Sequence, residues 1–124
     1  MVKILLVDDD DSLRIVLTKV LQRMGHEVRT AENGLKAMEI YRDWSPAIII
    51  TDLIMPEQEG IETIQALRAK DKTVKIIAMS GGGTGDANAY LEIAKHLGAN
   101  AVLAKPFSME QLQAAVTAVL LSAN

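Results

Sequence analysis

The sequence predicts an α/β domain of the doubly wound type, in which helices cover both faces of a parallel β-sheet. Four short apolar runs, mostly rich in β-branched residues, have the length and composition of buried strands. Segments with apolar residues at helical spacing lie between these runs. Strands that are apolar along their whole length are buried on both faces, and their alternation with helices indicates a parallel sheet.

Five successive strand–helix units account for the chain. The first strand is predicted at residues 4–7, and a helix with an apolar stripe over residues 13–24 follows it. A second, weaker strand is predicted around Val28. The remaining strands are predicted at residues 47–50, 76–79 and 101–104. The helices after the second, third and fourth strands are predicted at residues 35–44, 61–67 and 87–97. The apolar stripe of the last helix consists of Leu112, Val116, Val119 and Leu120.

Turn-forming residues agree with these boundaries. Gly25 follows the first helix, at the position where a glycine in the left-handed conformation commonly ends a helix. The pair Asn33 and Gly34 predicts a turn before the second helix. All three prolines flank strands and none interrupts a helical pattern.

Length, composition and charge favour a single cytosolic domain. A chain of 124 residues, 49% of them hydrophobic, can bury one core, and we expect one domain over residues 1–124. The opening apolar segment is too short for a signal peptide, and no stretch could span a bilayer. A net charge of −3 argues against direct nucleic-acid binding, which needs clustered Lys and Arg. Without cysteine there is no disulfide or thiolate metal site.

Polar residues follow the predicted strands at the point where each strand ends. They are Asp8 to Asp11 after the first strand, Thr51 and Asp52 after the third, Ser80 and three glycines after the fourth, and Lys105 and Pro106 after the fifth. In open α/β sheets, ligands bind beyond the carboxyl ends of the strands. We therefore expect carboxylates, a hydroxyl and an ammonium to converge at this edge of the sheet.

This set of side chains predicts a magnesium site. Carboxylates brought together from separate loops repel one another, and a bound cation relieves that repulsion. Oxygen ligands with no His or Cys nearby suit Mg²⁺, with Mn²⁺ as the alternative, and Mg²⁺ typically takes one or two carboxylates plus phosphate oxygens. The site therefore indicates phosphoryl chemistry, and no organic cofactor is predicted.

Each of these residues also has an ordinary structural interpretation. Aspartates before a helix cap its free amide groups and complement its dipole, and we expect Asp10 or Asp11 to do so. Ser80 alone would be a common turn residue, and Lys105 alone a surface ammonium. Asp52 is harder to explain in this way, because a carboxylate directly after an apolar strand is costly to bury without a partner.

Four short motifs together resemble the receiver domain of two-component response regulators over residues 2–121. They are Val7-Asp8-Asp9, Thr51-Asp52 followed by Met55-Pro56, Ser80, and Lys105-Pro106-Phe107. The resemblance implies a flavodoxin-like fold with five strands in the order 2-1-3-4-5 and five helices. It also implies a cis peptide bond between Lys105 and Pro106. Neither the strand order nor the cis bond follows from the sequence pattern itself.

The resemblance further implies roles for the site residues. Asp52 would be the phospho-acceptor, and Asp9, Asp52 and the main-chain carbonyl of Ile54 would bind the metal. Asp8 would act mostly through metal-bound water. Lys105 would contact a phosphoryl oxygen.

Ser80 would be the switch hydroxyl that draws its loop towards the phosphoryl group. Its movement would alter the face formed by the fifth strand and the last two helices. The phosphoryl donor would be a histidine kinase or a His-phosphotransfer protein, and the altered face would control a downstream protein.

Three residues depart from the pattern of this family. Val102 occupies a position where many members carry an aromatic side chain that moves with the switch hydroxyl. Ile54, two residues after the acceptor, has no polar side chain to orient an attacking water, and Gly81 replaces a small side chain. We therefore expect a non-enzymatic phospho-acceptor with at most slow self-dephosphorylation.

Two other functions fit parts of the sequence. The first is an interaction module of the same fold that is never phosphorylated, for which Val102 is the support. The second is a phosphatase of the haloacid dehalogenase type with Asp8 as nucleophile, because Asp8-x-Asp10 after a first strand resembles the motif of that family. The short chain and the lack of a role for Asp52 disfavour the phosphatase.

Overall fold

A computed structural model describes residues 1–53, 59–80 and 87–122 of the chain. Strands and helices alternate through these residues, as the sequence predicted. In chain order the elements are β1 (Lys3–Val7), α1 (Asp11–Arg23), β2 (Glu27–Ala31), α2 (Gly34–Trp44), β3 (Ile48–Asp52), α3 (Glu59–Lys70), β4 (Lys75–Ser80), α4 (Ala87–Leu97), β5 (Ala101–Ala104) and α5 (Met109–Leu121). The predicted α/β class is therefore confirmed.

The five strands form one parallel sheet in the order β2-β1-β3-β4-β5. This order, which the family resemblance implied, is confirmed. β1 and β3 are neighbours, and Val7 at the end of β1 pairs with Thr51 of β3. The carboxyl ends of these two strands therefore lie side by side, and the residues that follow them share one edge of the sheet.

Two apolar cores cover the two faces of the sheet. Side chains of α2, α3 and α4 pack on one face, with Leu5 and Ile49 from the central strands. Side chains of α1 and α5 pack on the other face, with Ile4 and Ile50. Successive strand residues point to opposite faces, so a strand that lies between two helical layers must be apolar at every position. This is the physical reason for the continuous apolar runs in the sequence.

β3 and β4 extend beyond the apolar runs that predicted them. β3 includes Thr51 and Asp52, and β4 includes Lys75 and Ser80. The parallel ladder depends on main-chain groups, so polar residues can continue it where they pair with a neighbour, as Asp52 does with Met79. The acceptor candidate and the switch candidate are thus the last residues of strands and do not lie in loops.

β5 is less buried than its apolar sequence predicted. Leu103 is buried, but Val102 is half-buried and Ala104 is exposed. Among the described strands β5 pairs with β4 alone, so it lies at an edge of the sheet with one side that none of these strands covers. An apolar run therefore overestimates burial at the edge of the sheet.

Side-chain caps define the starts of three helices. The Asp10 side chain accepts a hydrogen bond from the Leu13 amide and caps α1, as expected. Asn33 caps α2, so the predicted turn at Asn33 and Gly34 is instead a helix start. Ser108 and Gln111 form a capping box at α5. No helix in the described ranges is both long and apolar enough to cross a membrane.

Candidate functional site

Two adjacent strands place the central carboxylates of the site. Asp8 directly follows β1, and Asp52 is the last residue of β3. Val7 pairs with Thr51, and the residue that follows each of them in the chain is one of these two aspartates. The side chains of Asp8 and Asp52 are 1% and 7% exposed. The fold therefore brings together two nearly buried carboxylates that the sequence separates by 44 positions.

Asp8, Asp9 and Asp52 form a cluster that could hold a metal ion. One carboxylate oxygen from each residue lies within 4.8 Å of the other two. Asp8 and Asp52 are buried, whereas Asp9 is exposed. A set of oxygen ligands with three negative charges fits a hard divalent cation such as Mg²⁺. Ile54 and Gly81 lie outside the described residues.

Lys105 supplies a positive charge to the buried carboxylates. Its ammonium donates hydrogen bonds to Asp8 Oδ2 at 2.8 Å and to Asp52 Oδ2 at 3.2 Å. Burial by itself lowers the pKa of Lys105, but the hydrogen bond to Asp8 and the charges of Asp52 and Asp8 outweigh burial and raise this pKa above its ordinary value. The ammonium therefore remains charged, and it bridges the ends of β1, β3 and β5. The Lys105–Pro106 peptide is cis, as the family resemblance implied.

The loop between β1 and α1 is fixed by several polar contacts. The Asp10 amide donates to Asp8 Oδ1 at 2.9 Å, so both oxygens of the Asp8 carboxylate have partners. Arg14 donates to the main-chain oxygen of Asp8 at 2.5 Å and forms an ion pair with Asp11. Asp9 forms no hydrogen bond or ion pair with the described residues. Its carboxylate is thus the most accessible of the three in the cluster.

Ser80 contributes a buried hydroxyl that has no hydrogen-bond partner among the described residues. The residue is 0% exposed, and its Oγ forms no hydrogen bond within the described part of the chain. Its main-chain oxygen accepts a hydrogen bond of 2.7 Å from the Lys105 amide, which joins the end of β4 to the residue after β5. A buried hydroxyl without a partner is rare in folded proteins and often marks a functional position.

Two residues contact the site that the sequence did not single out. A Cβ added to Gly60 would lie 2.1 Å from the main-chain oxygen of Asp52, so only glycine allows α3 to approach the end of β3 this closely. Arg14 lies one turn from the start of α1, where the helix dipole disfavours a cation. This unfavourable position near the helix start could have indicated from the sequence that Arg14 makes a tertiary contact. Nothing in the sequence marks Gly60 in this way.

Comparison with known proteins places these residues in a family. The profile of the response regulator receiver domain matches residues 4–117. The chain is 33% identical over 114 residues to sporulation initiation phosphotransferase F of Bacillus subtilis, covering 92% of this chain and 90% of that protein. It is 38% identical over 118 residues to the transcriptional regulatory protein CpxR of Escherichia coli, covering 95% of this chain and 49% of CpxR.

A solved structure of a response regulator is also similar to this chain. The chemotaxis response regulator CheY4 of Vibrio cholerae superposes with a TM-score of 0.84 at 32% identity, covering 96% of this chain and 98% of CheY4. The matched region contains the strand ends that carry Asp8, Asp52 and Lys105. The chain therefore belongs to the response regulator receiver domains of two-component signal transduction.

Proposed function

We propose that this chain is a phospho-accepting receiver in which the Asp52 carboxylate takes a phosphoryl group in a Mg²⁺-dependent reaction. The main support is the position of the Lys105 ammonium, which contacts both Asp52 and Asp8 within a cluster completed by Asp9. A cation and a metal-binding set around one carboxylate suit the transfer of a highly charged group. The relationship to a phosphotransferase of Bacillus subtilis agrees with this chemistry.

In the proposed reaction, an Asp52 oxygen attacks the phosphorus of a phosphohistidine or an acyl phosphate. The new O–P bond forms as the bond to the leaving group breaks, and the electron pair leaves with the imidazole nitrogen or the carboxylate. Asp8, Asp9 and Asp52 would hold Mg²⁺, together with the Ile54 carbonyl that the family resemblance implies, and the ion would neutralise charge on the phosphoryl oxygens. Lys105, already 3.2 Å from Asp52, would donate a hydrogen bond to one of these oxygens.

The contacts of Asp8 suit a supporting role at the metal more than the role of a nucleophile. Both oxygens of Asp8 accept hydrogen bonds, one from the Asp10 amide and one from Lys105, and its side chain is only 1% exposed. An incoming phosphorus atom would have to approach a nearly buried oxygen that already accepts a hydrogen bond. These contacts disfavour the haloacid dehalogenase-type reaction, in which Asp8 would attack, and they suit a supporting role for Asp8 at the metal.

Ser80 is proposed to detect the phosphoryl group. Its buried hydroxyl has no partner among the described residues, and a phosphoryl oxygen would provide the missing acceptor. Ser80 pairs with Ala104 of β5, and its main-chain oxygen is bonded to the Lys105 amide. A movement at Ser80 would therefore reach β5 directly and alter the face formed by α4, β5 and α5. We propose that this face meets the downstream protein.

An apolar groove beside the site is proposed to receive the protein donor. It has a volume of about 480 Å³, lies between α1 and the start of α5, and includes Lys105 in its lining. Val16 and Met109, which also line it, are 56% and 51% exposed. Since Lys105 contacts Asp52, a protein that presents a phosphohistidine to Asp52 would cover this groove. A histidine kinase or a His-phosphotransfer protein is the expected donor.

The direct test is phosphorylation of the purified protein by acetyl phosphate. We expect one added phosphoryl group by intact mass in the presence of Mg²⁺, and none when Mg²⁺ is chelated or when Asp52→Asn is used. Asp43→Asn, an exposed change on α2, is the matched control and should be modified like the wild type. A folded, Mg²⁺-binding protein that is never modified by acetyl phosphate or a protein donor would favour the unphosphorylated interaction module.

A further inference from the structure

We propose that Arg14 is a positioning residue that sets the path of the β1–α1 loop and thereby places the Asp9 carboxylate for metal binding. Its guanidinium bridges the two ends of this loop, which are the main-chain oxygen of Asp8 after β1 and the Asp11 carboxylate at the start of α1. The side chain of Arg14 is only 16% exposed, although α1 faces solvent at this point and Asp11 is 80% exposed. This inference rests on the proposed metal-dependent function.

The position of the Asp9 carboxylate depends on the β1–α1 loop more than the positions of the other two carboxylates do. Asp8 is held by the Asp10 amide and by Lys105, and Asp52 belongs to a central strand. The exposed Asp9 side chain forms no hydrogen bond or ion pair with the described residues. The position of its carboxylate is therefore set by the backbone on either side of it, and Arg14 fixes that backbone.

Helix stability alone does not explain these contacts. The side chain of Asp10 already caps α1, and an arginine near a helix N-terminus is opposed by the helix dipole. The exposed ion pair with Asp11 contributes little by itself. The contact with the Asp8 carbonyl is different, because Asp8 is completely buried and its carboxylate belongs to the candidate metal cluster. Arg14 thus acts on the metal ligands through the backbone, without a place in the ligand set.

The test compares Mg²⁺ affinity and loop order in Arg14 variants. Loss of a group that orients metal ligands commonly weakens metal binding by about 10- to 100-fold. We expect Arg14→Ala to fall in this range by calorimetric titration. Arg14→Lys should recover part of the affinity, because an ammonium can reach only one of the two anchors at a time. Arg23→Ala, in the last turn of the same helix, is the matched control and should bind like the wild type.

The metal-free protein supplies a second readout. In amide NMR spectra without Mg²⁺, Arg14→Ala should shift and broaden the Asp9 and Asp10 signals, whereas Arg23→Ala should leave them unchanged. If Arg14→Ala does not fold, Arg14→Gln is used, since its amide can still donate to the Asp8 carbonyl but cannot pair with Asp11. Affinity within twofold of the wild type, with unchanged loop signals, would overturn the inference.

Failure of this inference can be distinguished from failure of the proposed function. If the wild type binds Mg²⁺ and is phosphorylated on Asp52 while Arg14→Ala binds equally well, only the role of Arg14 is wrong. If the wild type itself does not bind Mg²⁺, the metal-dependent function and the role of Arg14 are both wrong.

Discussion

At the scale of single residues, Lys105 has two opposing effects in the site. It offsets part of the negative charge of Asp8 and Asp52 in the metal-free protein, and it competes with a metal ion for the oxygens of these two carboxylates. We expect Lys105→Ala to lower the rate of phosphorylation by acetyl phosphate by about 100-fold, the usual cost of losing a group that stabilises charge in a transition state. Mg²⁺ affinity should stay equal or increase, because a competing cation has gone.

Lys95→Ala is the matched control for this prediction, since Lys95 is an exposed cation on α4. Phosphorylation should be followed by intact mass over time and Mg²⁺ affinity by calorimetry. A Lys105→Ala variant that is phosphorylated at the wild-type rate, or that loses Mg²⁺ binding while folded, would contradict the role assigned to the ammonium.

The sequence predicted the site residues that follow strands, but not those that act through tertiary contacts. Asp8, Asp52 and Lys105 could be found because carboxyl ends of parallel strands meet at one edge. Gly60 could not, because its requirement arises from the main chain of Asp52, which only the folded α3 approaches. That the Ser80 hydroxyl has no partner within residues 1–53, 59–80 and 87–122 likewise depends on which groups surround it, and a sequence pattern does not contain that information.

At the scale of elements, Arg68 links α3 to the end of the sheet opposite the candidate site. Its guanidinium donates to three main-chain oxygens and to the side chain of Asn100 at 2.7 Å. The three main-chain acceptors belong to Gly98, Asp71 and Val74. Asn100 Oδ1 also accepts from the amide of Ile76 in β4. One side chain thus joins the end of α3, the start of β4 and the loop after α4.

We expect Arg68→Ala to lower the free energy of unfolding by about 2–4 kcal/mol, because several half-buried oxygens lose their donor together. Arg68→Lys should recover less than half of this loss, since an ammonium cannot reproduce the planar fork. Lys70→Ala, an exposed change at the end of the same helix, is the control and should change stability by less than about 0.5 kcal/mol. Urea denaturation measures all three. A loss in Arg68→Ala no larger than that in Lys70→Ala would contradict this network.

The groove between α1 and α5 gives a prediction about the donor. Val16→Asp places a charge on an exposed wall of the groove, so folding should be little affected. Transfer from a histidine kinase should fall by about 10-fold or more, because burying an unpaired carboxylate at an interface is costly. Phosphorylation by acetyl phosphate should be unchanged. Leu35→Asp, an equally polar change at an exposed apolar residue of α2, is the control. Equal loss with both donors would contradict the docking proposal.

Sequence patterns predicted the inner strands of the sheet better than its edge strands. The apolar patterns of β1, β3 and β4 were clear because helices cover both faces of these strands and another strand pairs with each on both sides. β2 and β5 pair with one strand only, and β2 is largely exposed. Fewer of their positions must therefore be apolar, and the pattern is correspondingly weaker or misleading about burial.

At the scale of the whole molecule, stability should depend on pH through the Tyr41–Asp71 hydrogen bond, which joins α2 to the end of α3. The Tyr41 hydroxyl donates to Asp71 Oδ2 at 2.7 Å. This bond, with others from Thr73 and Val74, lowers the pKa of Asp71 from 3.8 to about 2. Burial and the same bond raise the pKa of Tyr41 to about 12.

The directions of these two pKa shifts determine the pH range in which each group stabilises the fold. A carboxyl whose pKa is lowered on folding contributes stability above pH 4, and this contribution is lost as the pH falls towards 2. A tyrosine whose pKa is raised contributes below pH 10, and that contribution is lost as the pH rises towards 12. Tyr41→Phe should reduce the acid-dependent loss by about 1 kcal/mol or less, because Asp71 is only partly buried and solvent weakens the interaction.

This prediction is measured by urea denaturation of the wild type and Tyr41→Phe between pH 2 and 7. The other carboxylates titrate equally in both proteins, so the difference between the curves isolates the Tyr41–Asp71 bond. Parallel curves over the whole range would contradict the assigned shift.

The most direct test of the central claim is to locate the phosphoryl group on the chain. An aspartyl phosphate is reduced by borohydride to homoserine, which peptide mass spectrometry identifies by position. After incubation with acetyl phosphate and Mg²⁺, we predict homoserine at position 52 and at no other aspartate. Homoserine at position 8, or none at any position in a protein that binds Mg²⁺, would contradict the assignment of Asp52 as the phospho-acceptor.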